Sequence, residues 1–194
     1  GEVAAVDLVR TLLDTHKIEA ETHSRGETQL AHSSKAMKRL RVEAETMKQA
    51  GEPVEFLEQG DLAAQGVNGP FFGALTTPVG FGLNPRKYLF GLASAAQAAG
   101  AKLYQRNAAL TFSKRGDTHF LTTPNGTLRA DKVVIATNGY SSDDLPTWLA
   151  GRYMPAQSTA MVTRVLSENE LQAQGWFSDQ MAYDSRNLLH YFRL

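Results

Sequence analysis

Five consecutive apolar or β-branched residues, Val133-Val134-Ile135-Ala136-Thr137, suit very few environments. With neither a helical nor an alternating period, the run predicts a strand buried on both faces, as at the centre of a parallel sheet. Its surroundings sharpen that reading. Asn84-Pro85 is a helix start, with a capping side chain followed by proline at the first helical position. Tyr88, Leu89, Leu92, Ala95, Ala96 and Ala99 would form that helix's buried face, and Gly100 would close it. A short strand is expected at Ala101 to Arg106, then three strand-like runs at Ala109 to Ser113, Thr118 to Thr123 and Thr127 to Ala130. Asn125-Gly126 marks a hairpin between the last two, because both residues tolerate positive φ. A helix, a strand, a small meander and a buried strand make a composite α/β unit. A parallel sheet also needs a first strand–turn–helix, and no G-x-G-x-x-G occurs in the chain.

The preceding residues read as α+β. Val6, Val9 and Leu13 share one face of an opening helix that runs to about His16. Ile18 to Leu30 alternates like a strand region broken at Arg25-Gly26. Ser33-Ser34 can cap a second helix carrying Met37, Leu40, Ala44 and Met47 at helical spacing, ended by Gly51 and Pro53. The basic residues on its other face are interleaved with acids and lack stacking aromatics, so that face is a solvated one. Residues 60–85, rich in Gly and Pro, predict a long connection with short strand pieces near Phe71-Phe72 and Ala74-Leu75.

Composition excludes more than it selects. Twenty basic and 20 acidic residues leave no net charge, which removes an overall drive towards nucleic acid or anionic membrane. The absence of cysteine excludes disulfides, thiol nucleophiles and thiolate metal sites. No apolar run reaches the ~20 residues of a spanning helix, so a soluble, cytoplasmic protein is expected. Gly80-Phe81-Gly82 lacks the third glycine of a phosphate loop, and the five histidines never fall in H-x-x-x-H spacing, so no metal site is expected. The helix opening at residue 1 and the apolar strand-like end, Asn187 to Leu194, predict a segment of a longer chain, although a docked edge strand would also explain the latter.

Several segments together carry a family resemblance. Gly82-Leu83-Asn84-Pro85-Arg86-Lys87-Tyr88-Leu89-Phe90-Gly91-Leu92-Ala93 resembles the helix entering the second half of FAD-dependent amine oxidoreductases of the D-amino-acid-oxidase superfamily. Gly100 to Ala109 and Thr127 to Tyr140, with Ala136-Thr137-Asn138-Gly139-Tyr140, resemble that family's returning strand. Arg152-Tyr153-Met154-Pro155 with Thr163, and Asp184 to Arg193, are similar to its γ-glutamylputrescine-oxidase-like branch. The resemblance implies a mixed α+β and α/β fold: a substrate-binding mixed sheet with helices, plus part of a Rossmann-like FAD domain. Residues 1–80 and 151–194 would be mainly the substrate-binding domain, and 81–150 the partial FAD domain.

The same resemblance implies FAD as cofactor and a small amine or amino acid as substrate. Hydride would pass to the flavin, and the imine product would hydrolyse. It places Ala109 against the adenine end of FAD, and Ala136, Thr137, Asn138 and Gly139 at the loop that meets the cofactor. Tyr191 and Arg193 share a strand face by alternation and are the expected substrate contacts, Arg193 through a carboxylate; a solvent-facing pair on an edge strand would show the same pattern. With no glycine-rich loop, the segment alone is expected to bind FAD poorly and to be inactive, and exposed sheet edges predict self-association. A non-catalytic small-molecule-binding module sharing the substrate-domain fold is the alternative.

Overall fold

Local signals set the helices of the structure, a computed structural model that describes residues 1–194. In chain order the elements are α1 (Glu2–His16), β1 (Glu27–Leu30), α2 (Ser34–Gln49), β2 (Glu55–Glu58), β3 (Gly73–Thr77) and α3 (Pro85–Ala98). There follow β4 (Thr111–Arg115), β5 (Thr118–Thr123), β6 (Gly126–Ala130), α4 (Glu168–Gln174), β7 (Ala182–Asp184) and β8 (Tyr191–Phe192). They form two compact units, residues 1–101 with 164–194, and residues 102–163.

In the first unit, Ser33 caps α2 by accepting a hydrogen bond from the Ala36 amide at 3.1 Å. The face bearing Ala36, Met37, Leu40 and Ala44 is buried against Ala31 and Leu75, with Met47, Val54 and Phe56 around it. Each large apolar side chain so buried contributes about 1.5–3 kcal/mol relative to exposure. The sheet beneath has the order β2-β3-β1-β7-β8, antiparallel except where β1 runs parallel to β7. Leu30 lies between Ala74 and Asp184 in register. Strand alternation sends Leu30, Ala74, Ala182 and Phe192 to the face opposite α2. There they pack with Leu62, Val67, Leu57, Phe71 and Trp176.

The interior strand β3 lies where the sequence predicts a Gly- and Pro-rich connection with short strand pieces. Gly73 opens it at φ 149°, and a Cβ there would stand 2.3 Å from Met37 Cε. Glycine thus marks a close approach of helix to strand rather than a loop. Asn84 caps α3 as expected, accepting from the Arg86 and Lys87 amides, with Pro85 at the first position. Its expected buried face is only half covered: Tyr88, Leu92, Ala95 and Ala96 are half-buried, while Leu89 and Ala99 are exposed.

The second unit holds the meander β4-β5-β6, antiparallel throughout. Its second turn is Pro124-Asn125, with Gly126 already paired to Thr123, one residue earlier than the Asn-Gly signal suggests. Two expected strands do not form. Ala101 to Arg106 and Val133 to Thr137 have no strand partner, and Val134 is 88% exposed. A strand exists only by pairing, and neither run pairs in either sheet. No helix is long and apolar enough to cross a membrane.

Candidate functional site

Asp184, the last residue of β7, is 1% exposed and organises the chain that follows. Its Oδ2 accepts from Arg186 Nη1 at 2.5 Å and from His190 Nδ1 at 2.8 Å. Its Oδ1 accepts from the Arg186 amide at 3.2 Å and the His190 amide at 3.4 Å. Burial alone would raise the carboxyl's pKa, but these four donors outweigh it and hold the group at about 2. The Asp184 amide donates to the His190 carbonyl, which closes the hairpin and delivers β8 to the sheet edge.

Beyond the hairpin, the two expected substrate contacts diverge. Tyr191 is 76% exposed, with its ring 5.8 Å from that of Tyr183, its partner in register. Burial, then the negative charges of Glu27 and Glu43, push the Tyr183 phenol up to about 12. Arg193 turns elsewhere. Its Nη1 donates to His23 Nε2 at 2.8 Å. Because a guanidinium has no acceptor, Nε2 must be unprotonated, which assigns the proton to Nδ1. Nδ1 then donates to Ser24 Oγ at 2.7 Å, and Ser24 donates to the Asp179 carbonyl at 3.0 Å. Ser24 Oγ also accepts from the Met181 amide.

The His23 ring lies on Gly82, where a Cβ would come within 2.2 Å of it, and the two backbones exchange hydrogen bonds of 3.0 and 2.8 Å. Gly80-Phe81-Gly82 therefore serves as a platform for an imidazole. Arg193 borders a cavity of about 310 Å³ with Trp176, Phe192, Asn68 and Gln174. The Trp176 and Phe192 rings meet edge-on at 5.4 Å. No carboxylate pairs with Arg193. The corner thus offers a cation with open donors beside aromatic walls, which suits a carboxylate attached to an apolar or aromatic body.

His23, Ser24 and Trp176 carry no motif, Asp184 stands only in a segment read for its family resemblance, and sequence reasoning does not find any of them in this role. Only the i+2 and i+6 spacing of Arg186 and His190 from Asp184 hints at the carboxylate's part. A second cavity, about 830 Å³, lies between the end of α1 and α3, bordered by Lys17, Ile18, Arg86, Phe90 and Ser94.

The expected cofactor contacts lie in the second unit. Ala109 is exposed just before β4, and Ala136, Thr137, Asn138 and Gly139 are exposed, the last two opening a 3₁₀ turn. Asn138 adopts φ 51°, and a Cβ on Gly139 would meet only Pro155 at 3.6 Å. Thr137 and Ser141 share a hydroxyl–hydroxyl bond, and Tyr153 donates to the Ser141 carbonyl. Small, exposed residues leave backbone open to the edge of a flat ligand such as FAD, so these residues fit a border contact. A diphosphate cradle is not among them, since no G-x-G-x-x-G stands in the chain.

Comparison with known proteins settles the family. The profile of the FAD dependent oxidoreductase family, DAO, matches residues 2–194. The chain belongs to this family. As a DAO-family chain it is 34% identical over 157 residues to the probable oxidoreductase OrdL of Rhizobium meliloti (strain 1021), covering 80% of this chain and 35% of that protein. It is 24% identical over 189 residues to gamma-glutamylputrescine oxidoreductase of Escherichia coli (strain K12), covering 97% of this chain and 44% of that one. The DAO chain therefore spans less than half the length of these relatives. Among solved structures, glycine oxidase from Geobacillus kaustophilus superposes with a TM-score of 0.62 at 25% identity, over 72% of this chain and 38% of that one. L-proline dehydrogenase from P.horikoshii superposes with a TM-score of 0.67 at 16% identity, over 99% and 51%, a likeness of fold. The mixed α/β architecture is thus one shared with this glycine oxidase and this L-proline dehydrogenase.

Proposed function

We propose that this chain is the substrate-binding part of a flavin-dependent oxidoreductase that oxidises the C–N bond of a small amine carrying a carboxylate. The observation that supports this most is Arg193, held by His23 beside the Trp176–Phe192 cavity with no carboxylate of its own. In this reading Arg193 takes the substrate carboxylate through its remaining N–H donors, and the two rings cover the carbon chain and exclude water. Tyr191 borders the substrate from the exposed sheet edge. FAD, when bound, accepts hydride from the carbon next to the amine nitrogen. Ala109 and Ala136 to Gly139 contact its edge through backbone, and the rest of its cradle comes from elsewhere in the full-length protein.

The test is Arg193→Met in the full-length, flavin-loaded protein. KM for a carboxylate-bearing amine should rise by about 100-fold, as loss of a charge-assisted contact worth ~3 kcal/mol implies. An unchanged KM would remove the assignment. The isolated 194-residue chain should retain no FAD through gel filtration, and stoichiometric retention would show that it carries the whole cradle. Its sheet edges should self-associate, and a monodisperse monomer in light scattering would exclude that.

A further inference from the structure

Arg193 and His23 form an unusual pair for an exposed cation, because the partner is a base rather than an acid. A carboxylate in that place would also fix the guanidinium, but it would neutralise the charge. The Nδ1–H tautomer of His23 accepts one N–H and leaves the full positive charge for something else. The ring's own orientation is set from three sides: Ser24 Oγ on Nδ1, the Asp179 carbonyl behind Ser24, and the Gly82 backbone beneath. Ser24 holds φ 65°, an uncommon conformation for a residue with a side chain, at the point where its Oγ meets the ring. These contacts bring together residues 170 positions apart for one guanidinium.

We infer that His23 is a positioning residue that, through Ser24 and Gly82, orients the Arg193 guanidinium for a ligand carboxylate without cancelling its charge. The inference rests on the proposed role of Arg193 and adds residues that govern it. It makes the carboxylate preference of the site depend on the neutrality of residue 23 as well as on its shape.

The experiment measures benzoate and benzamide, probes of the same size with and without charge, by isothermal titration calorimetry on the full-length, flavin-loaded protein. Wild type should bind benzoate more tightly than benzamide, and Arg193→Met should erase the difference. His23→Gln keeps a neutral acceptor and should stay within about threefold for benzoate. His23→Leu frees the guanidinium and should weaken benzoate about tenfold, with benzamide unchanged. His23→Glu keeps an acceptor but neutralises the cation, and should weaken benzoate further still. Should a His23 variant not fold, Ser24→Ala carries the same comparison, with an expected loss of about threefold in benzoate alone.

Should Arg193→Met erase the preference while His23→Leu and His23→Glu bind benzoate like wild type, the positioning role falls and the role of Arg193 stands. Equal losses for benzoate and benzamide in the His23 variants would mark a packing role and also overturn the inference. Absence of any benzoate preference in wild type, or its persistence in Arg193→Met, would remove the Arg193 reading itself.

Discussion

Replacing Asp184 with asparagine removes one negative charge from the buried carboxylate that fastens the β7–β8 hairpin. The residue is 1% exposed and its side chain accepts four hydrogen bonds, two of them from a guanidinium and an imidazole. A carboxyl held at about 2 rather than at 3.8 contributes on the order of 2.5 kcal/mol by linkage. Arg186 and His190 stand 47% and 66% exposed, so solvent screens their side and the expected value is about 2 kcal/mol. The sign follows from the lowered folded pKa. This stability is fully present above pH 4 and is lost as pH falls from about 4 through 2. Urea unfolding at neutral pH should place Asp184→Asn about 2 kcal/mol below wild type, and the gap should close by pH 2. A gap that stays constant between pH 7 and pH 2, or none at neutral pH, would refute the linkage argument.

Three further outcomes are expected. Leu40→Ala empties the centre of the α2 face and should cost about 2–5 kcal/mol with little change in denaturant slope, read by urea melts. Gly82→Ala drives a methyl into the His23 ring and should cost about 1–3 kcal/mol while shifting the His23 ring resonances in NMR spectra. Of the six tyrosines, Tyr183 should ionise last, near pH 12 in absorbance at 295 nm, and Tyr183→Phe should delete that late phase; because its folded pKa is raised, its contribution is intact below pH 10 and disappears as pH approaches 12.

What the sequence showed and what it hid divide along physical lines. Ser33, Asn84 and the periodic apolar residues of α2 act within a few positions of themselves, so the helices and their caps were readable. The meander was readable because turn chemistry is local too, apart from a one-residue displacement at Pro124-Asn125. Strand pairing is not local. Gly73 to Thr77 looked like connection because its identity as an interior strand depends on β1 and β2 on either side. Val133 to Thr137 looked like a core strand because composition records what a segment could bury and not whether a partner stands beside it. Alternation put Tyr191 and Arg193 on one face, but could not show that Arg193 reaches His23 while Tyr191 sits with Tyr183. The family followed from the order of motifs over the whole length, a signal that survives errors in single elements.

The lone parallel pairing, β1 with β7, has a consequence for how the chain reaches this arrangement. Thr28 meets Thr76 across 48 positions, whereas Arg193 meets His23 across 170. Closing the larger loop costs about 1 kcal/mol more in chain entropy, and contacts of such separation form slowly. During synthesis α2 and the β2-β3-β1 ribbon can consolidate on their own, with β1 left as an open edge. His23 then waits, already seated on Gly82, until Arg193 has left the ribosome. The Arg193–His23 contact forms after that ribbon, and a nascent chain that stalls early carries a folded ribbon without its arginine.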